Sequence, residues 1–155
     1  MRYLGLDLGT KTLGIAVSDK TNQIASFLKV VRWDGEDYGQ LFKELTPIVE
    51  EKEITAFVLG LPKNMNNSLG FAAERSLNFE KALKEKYSLD VILIDERLST
   101  VEAENYLLEA DTSRKKRKKV IDGIAASIIL DTFLRKKGNK DYEWRKKRHI
   151  YDSKW

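Results

Sequence analysis

YLGLDLGTKTLGIAVSD, residues 3–19, contains two apolar runs joined by a polar turn, and one carboxylate, Asp7, lies inside the first run. Period-two alternation predicts two strands that pair as a hairpin around Gly9, Thr10, Lys11 and Thr12. It places Asp7 on the face opposite the leucines, beside small residues of the second strand. Burying an unpaired carboxylate is costly, so we expect an open face that carries a site rather than a packed core. The alternative is an aspartate hydrogen-bonded to the amides of its own turn.

The rest of the chain alternates between predicted strands and helices. Apolar runs predict strands over 24–31, 56–62 and 90–95, and helical spacing predicts helices over 37–52, 71–87 and 120–134. Pro47 should kink or shorten the first of these helices. A capping box formed by Ser99 and Glu102 predicts another helix over about 100–110. We expect an α/β domain, residues 1–138, with a mixed sheet covered by helices, followed by a basic and aromatic tail, residues 139–155.

Composition narrows the class of protein. The 155 residues are 42% hydrophobic and 34% charged, which is typical of a soluble globular domain, and no apolar run approaches the roughly 20 residues of a membrane span. The first residues enter a predicted strand without the layout of a secretory signal, so we expect a cytoplasmic protein with no membrane partner. The chain has no Cys and a single histidine, His149, and it is therefore not expected to bind zinc or form disulfides.

Three acidic residues that are far apart in the sequence are expected to meet at one edge of the sheet. Asp7 lies near the end of the first strand, Glu96 directly follows the strand 90–95, and Asp122 opens the helix 120–134. Sites in open sheets collect at the carboxyl ends of strands. Three carboxylates without His or Cys form an all-oxygen ligand set that suits Mg²⁺ or Mn²⁺. We therefore predict that these acids bind metal and catalyse phosphodiester hydrolysis.

Each acid also has a simpler interpretation. Asp122 can merely stabilise a helix amino terminus, as acids commonly do. Glu96 can pair with Arg97, and Asp95 competes with Glu96 as the functional residue. The combination of three such acids, rather than any one of them, favours a metal site.

Positive charge is concentrated in one segment, which we call the basic run. It consists of six consecutive cations, Arg114, Lys115, Lys116, Arg117, Lys118 and Lys119. Without them, 22 basic residues remain against 24 acidic ones, so the net charge of +4 arises from this segment. Such a distribution is expected for contact with a polyanion, and the alternative is a solvated surface loop.

Polar residues in the loops that follow the strands are candidates for binding substrate phosphates. They are Thr10 and Lys11 in the first turn, Lys63 and Asn64 after the strand 56–62, and Arg97 after the strand 90–95. Ordinary exposed polar side chains are the alternative, because loops carry both.

Four motifs together resemble the YqgF family of the ribonuclease H-like superfamily. They are GLDLGTKTLGIAVSD (5–19), VLGLPKNMNNS (58–68), IDERLST (94–100) and KKVIDGIAASIIL (118–130), and the resemblance covers residues 1 to about 135. It implies a ribonuclease H-like, five-stranded mixed sheet with an antiparallel second strand, and metal-binding acids at Asp7, Glu96 and Asp122. Asn67 stands where the family pattern has glycine, and asparagine tolerates the positive φ of such a turn.

The resemblance implies a nucleic-acid partner. Family members are described as pre-16S rRNA nucleases and earlier as Holliday junction resolvases, so we expect a metal-dependent hydrolase acting on precursor rRNA in ribosome biogenesis. Branched DNA is the alternative substrate, and a resolvase would need a homodimer rather than a monomer. A non-catalytic RNA-binding assembly factor is a further alternative. An actin-like or sugar-kinase-like ATPase is disfavoured because such folds need two lobes.

Overall fold

The computed structural model describes residues 2–62, 70–95 and 124–137. Its elements, in chain order, are β1 (Tyr3–Leu8), β2 (Thr12–Ser18), β3 (Ala25–Arg32), α1 (Tyr38–Glu51), β4 (Ala56–Leu61), α2 (Phe71–Tyr87), β5 (Asp90–Asp95) and α3 (124–137). No helix within these ranges is long and apolar enough to cross a membrane. The predicted helix over 100–110, the tail and the first residues of the predicted helix 120–134 lie outside the described residues.

The strands form one five-stranded sheet in the order β3-β2-β1-β4-β5. β2 pairs antiparallel with both β1 and β3, whereas β4 pairs parallel with β1 and β5. The predicted mixed sheet with an antiparallel second strand is therefore confirmed. Since β1, β3, β4 and β5 all run in one direction, their carboxyl ends lie at the same edge of the sheet, which we call the carboxyl edge.

The two faces of the sheet are covered by different helices. The leucines of β1 pack with α1 and α2 in one core cluster that includes Leu41, Phe79 and Leu83. The opposite face packs against α3 in a second cluster that includes Tyr3, Ala16 and Phe133. The rings of Tyr3 and Phe133 meet edge to face with centroids 4.9 Å apart. Period-two alternation along β1 thus assigns Tyr3, Gly5 and Asp7 to the α3 face.

Helix α3 lies very close to β1. A Cβ atom added at Gly5 would lie 2.7 Å from Cβ of Leu130 and 2.9 Å from the carbonyl oxygen of Ala126. The expectation that this face is open is therefore wrong over most of β1, because the small residues there admit a helix rather than solvent. Tyr3 contacts Phe133, and Gly5, two residues later in β1, lies against Ala126. β1 and α3 therefore run antiparallel, and Asp7 lies toward the amino-terminal end of α3.

Helix α1 illustrates how local sequence sets an element. Asp37 is its N-cap, and the side chain accepts a hydrogen bond of 2.8 Å from the Gly39 amide. Pro47 lies inside the helix, on its exposed side, and the helix continues to Glu51. Burial of Leu41, Leu45 and Ile48 against the sheet offsets the backbone hydrogen bond that proline cannot make. The helix is therefore not shortened at Pro47, and its bounds agree with the predicted 37–52.

Candidate active site at the carboxyl edge

Asp7 lies one residue before the end of β1, and its side chain is half-buried. Its neighbour on β2 is Gly14. On the other side, the β1–β4 register pairs Leu6 with Leu59, so the next position of β4 beside Asp7 is Gly60. The carboxylate is thus flanked across the sheet by two residues without side chains. Glycine at such positions is typical where a ligand or another backbone approaches a strand closely.

The alternative role of Asp7, capping its own turn, is not what the structure shows. The Gly9 amide in that turn donates to the carbonyl oxygen of Thr12 at 2.8 Å. Within residues 2–62, 70–95 and 124–137, no hydrogen bond or ion pair reaches the Asp7 carboxylate. A half-buried carboxylate without a protein partner in this part of the chain is suited to a ligand.

The first turn is fixed to the segment after β3. Lys11 donates from Nζ to the carbonyl oxygen of Asp34 at 2.8 Å, and the Trp33 amide donates to the carbonyl oxygen of Lys11 at 3.0 Å. Thr10 and Lys11 are both exposed. One lysine hydrogen is used in this bond and two remain, so the predicted phosphate contact by Lys11 is compatible with its position.

The register of β5 determines the face of the sheet on which Asp95 lies. Val91 and Leu93 belong to the core face shared with α1 and α2, whereas Ile92 and Ile94 pack on the α3 face. Asp95, which is paired in register with Leu61, follows the alternation of Val91 and Leu93. It therefore lies on the opposite face of the sheet from Asp7. Asp95 is thus excluded as the partner of Asp7 in a shared site.

Most other predicted site residues lie outside the described residues. These are Glu96, Asp122, Lys63, Asn64, Arg97 and the basic run, 114–119. Among the described residues, no group of three His, Cys, Asp or Glu side chains is arranged to hold a metal ion. Asp7 is thus the one proposed metal ligand whose surroundings the structure describes.

A second cluster at the carboxyl edge is not singled out by the sequence pattern. Tyr38 begins α1, and its ring stacks on Trp33 at a centroid distance of 5.7 Å. Partial burial raises the pKa of the Tyr38 phenol, and the nearby Arg75 guanidinium of α2 acts in the opposite direction. Phe71, one helical turn before Arg75, is 88% exposed. An aromatic residue that begins a helix directly after a polar loop is the only sequence signal for this exposure.

Comparisons with known proteins identify relatives of the chain. A family model described as "RuvX: Holliday junction resolvase" matches residues 1–136. A Geobacillus kaustophilus (strain HTA426) protein named "Putative pre-16S rRNA nuclease" is 53% identical over 136 residues, covering 86% of this chain and 97% of that protein. A protein of the same name from Lacticaseibacillus casei (strain BL23) is 50% identical over 141 residues, covering 89% and 96%.

Solved structures share the fold at low sequence identity. RuvC of T. thermophilus in complex with Holliday junction substrate has a TM-score of 0.56 and 15% identity, covering 88% of this chain and 96% of that one. The fowlpox virus Holliday junction resolvase has a TM-score of 0.50 and 16% identity, covering 88% and 99%. These likenesses confirm the predicted ribonuclease H-like arrangement.

Proposed function

The chain belongs to the RuvX family, which is the same family that its motifs resemble under the name YqgF, and on that basis we propose that it is a metal-dependent nuclease that hydrolyses phosphodiester bonds. Its substrate in this proposal is precursor 16S rRNA, which it matures at the 5′ end in the cytoplasm. The names of relatives at about half identity support this choice of substrate. Resolution of branched DNA is the competing activity, because the family description names it.

The observation that carries the proposal is the position of Asp7. Its carboxylate is half-buried at the carboxyl edge, lies between two glycines, and has no partner among the described residues. A structural role for this acid would leave a hydrogen bond or ion pair in the turn next to it. A catalytic role explains why a charge is kept on a central strand without one.

In the proposed site, Glu96 and Asp122 join Asp7. Glu96 directly follows β5 in the sequence, and the carboxyl end of β5 lies at the same edge as that of β1. One strand, β4, lies between β1 and β5, so their backbones are roughly 10 Å apart. Two carboxylate side chains that extend toward each other from β1 and from the end of β5 would span part of that distance. Asp122 precedes Ala126 by four residues in the sequence, and Ala126 lies against Gly5, two residues before Asp7.

The donor set fits Mg²⁺ or Mn²⁺ rather than a softer metal. All three side chains offer carboxylate oxygens, and the described part of the site contributes no His and no Cys. When bound, such an ion would supply Lewis-acid stabilisation of the charge that develops on the phosphodiester and activation of the attacking water. The three carboxylates would hold it, and the flanking glycines would admit the substrate backbone.

Polar and cationic side chains near the proposed site would bind the substrate phosphates. Thr10 and Lys11 lie in the turn directly after β1, on the same edge as Asp7. Lys63, Asn64 and Arg97 follow β4 and β5 in the sequence, and the basic run precedes Asp122. A polyanion bound by these groups would be presented to the acids, since phosphate contacts position a strand without reading its sequence.

One experiment separates the candidate activities. The purified full chain is incubated with precursor 16S rRNA and, separately, with a four-way DNA junction, in Mg²⁺, in Mn²⁺ and in chelator. The proposal predicts cleavage of the RNA that requires the metal. Cleavage of the junction alone, by a dimer, would establish the resolvase activity instead. RNA binding without cleavage under every condition would indicate an assembly factor.

A further inference from the structure

The amino-terminal part of α2 carries an exposed aromatic side chain and a cation on one side of the helix. Phe71 is the first residue of α2 and is 88% exposed, and Arg75 follows at the i+4 position. Residues four apart on a helix are surface neighbours. The side of α2 that packs on the sheet is formed instead by Ala73, Ser76, Phe79 and Leu83. Phe71 therefore contributes nothing to the core.

This pair lies at the same edge of the sheet as Asp7, at the start of a helix that covers the opposite face. β4 ends at Leu61 at the carboxyl edge, and α2 returns from there to the start of β5, which runs parallel to β4. The first turns of α2 are consequently close to the carboxyl edge. Trp33 and Tyr38 follow the carboxyl end of β3 at that edge, and the rings of Tyr38 in α1 and Phe79 in α2 lie 5.4 Å apart, so the two helices are in contact.

Arg75 is available for a ligand. The ion pairs of the described residues join Lys29 to Glu44, Lys84 to Glu80 and Arg135 to Asp131, and none of them uses Arg75. Arg75 is half-buried, which restricts the position of its side chain more than that of a fully exposed surface arginine. A guanidinium held in this way suits a phosphate group.

We propose that Phe71 and Arg75 form a binding site for an unpaired nucleotide of the substrate at the carboxyl edge, with the base stacked on Phe71 and its phosphate bound by Arg75. The inference rests on the proposed nuclease function and adds that the substrate has a single-stranded segment at this edge. An aromatic face with an adjacent cation is the arrangement that proteins use for single strands, because every base has a face to stack and a phosphate to neutralise. A base paired within a duplex does not offer that face.

Binding in chelator tests the inference separately from cleavage. The probe is a fluorescein-labelled RNA of roughly 12 nucleotides, used as a single strand and annealed to its complement, with affinity measured by fluorescence anisotropy. Phe71→Ala should weaken single-strand binding at least about fivefold and leave duplex binding nearly unchanged, whereas Phe71→Trp should retain the wild-type affinity. Arg75→Gln should weaken single-strand binding and reduce its salt dependence.

Matched controls come from the same chain. Phe27 is also an exposed phenylalanine, 53% exposed, but it lies toward the amino end of β3, so Phe27→Ala should not alter binding. Lys81 is an exposed cation further along α2, and Lys81→Gln should have less effect than Arg75→Gln.

Several results would overturn the inference. They are wild-type affinity in Phe71→Ala, an equal loss for duplex RNA, an equal loss in Phe27→Ala, or a dimer that Phe71→Ala dissociates, since the last would assign Phe71 to a contact between copies. Failure of the nuclease proposal looks different. In that case the wild-type chain cleaves no RNA in any metal, while the binding difference between wild type and Phe71→Ala remains.

Discussion

Gly5→Ala places a methyl group where β1 and α3 are nearly in contact. The new carbon would lie 2.7 Å from Cβ of Leu130 and 2.9 Å from the carbonyl oxygen of Ala126, whereas ordinary contacts between carbon atoms are about 3.5–4.0 Å. Both obstacles are fixed to the backbone of α3, so a rotamer change cannot relieve them. The helix must move away from the strand by roughly 1 Å.

The expected loss of stability follows from overpacking, which typically costs about 1–3 kcal/mol. Both contacts at Gly5 are far shorter than normal, so the upper part of this range applies, about 2–3 kcal/mol. Replacing glycine by alanine also restricts the unfolded chain and returns about 0.4–1 kcal/mol, which leaves a net loss of about 1–2.6 kcal/mol. For a chain of this size each kcal/mol lowers the melting temperature by about 2–4 °C. We therefore expect a fall of several degrees, measured by circular dichroism or scanning calorimetry without added metal.

Gly9→Ala is the matched control for this prediction. The carbon added there would lie 2.8 Å from the hydroxyl oxygen of Thr12. The Thr12 side chain can rotate about its Cα–Cβ bond to relieve this contact, whereas the backbone of α3 that faces Gly5 cannot. The control should melt within about 2 °C of the wild type. Equal melting temperatures for Gly5→Ala and the wild type would refute the close packing of α3 on β1, and with it the placement of Asp7 toward the start of that helix.

Three further predictions concern other parts of the chain. Ser76 is buried, and its hydroxyl has no hydrogen-bond partner among the described residues, so Ser76→Ala should hold or raise the free energy of unfolding in urea, by up to about 1 kcal/mol, and a clear loss would contradict this. Hydrogen bonds, chiefly from the Ile24 amide and then the Thr21 hydroxyl, lower the pKa of Asp19 to about 2 from its ordinary 3.8. The stabilisation of the fold by the Asp19 carboxylate is therefore present above pH 3.8 and is lost as the pH falls toward 2. Lowering the pH should reduce the free energy of unfolding of the wild type more than that of Asp19→Asn. Replacing four cations of the basic run by Gln should flatten the dependence of log affinity for single-stranded RNA on log salt, by up to roughly 0.7 per lost contact, and an unaltered slope would indicate a solvated loop.

The sheet was predictable because its strands follow a simple alternation. The hairpin of β1 and β2, the strand β4 and the helices α1 and α2 all lie within a residue or two of their predicted positions. These segments bury one regular apolar face, and burial dominates the choice of structure. Helix α1 runs through Pro47 as its apolar spacing predicted, because the apolar contacts of the helix outweigh one missing hydrogen bond.

The tertiary environment of the site was less predictable. Small residues beside Asp7 indicated an open face, yet Gly5 and Ala16 instead allow α3 to pack closely. Sequence spacing cannot distinguish room for a ligand from room for a helix. Similarly, the face of the sheet occupied by Asp95 follows from the register of β5, which alternation alone does not assign to one helix or the other.

The cleavage rate of Asp7→Asn on precursor 16S rRNA in Mg²⁺ or Mn²⁺ tests the central claim most directly. We expect cleavage to fall to background while the variant without metal melts at or above the wild-type temperature, because neutralising one of three neighbouring carboxylates relieves repulsion. Glu96→Gln and Asp122→Asn should behave alike. Cleavage by folded Asp7→Asn at the wild-type rate, or a large loss of its stability without metal, would contradict a catalytic role for this carboxylate.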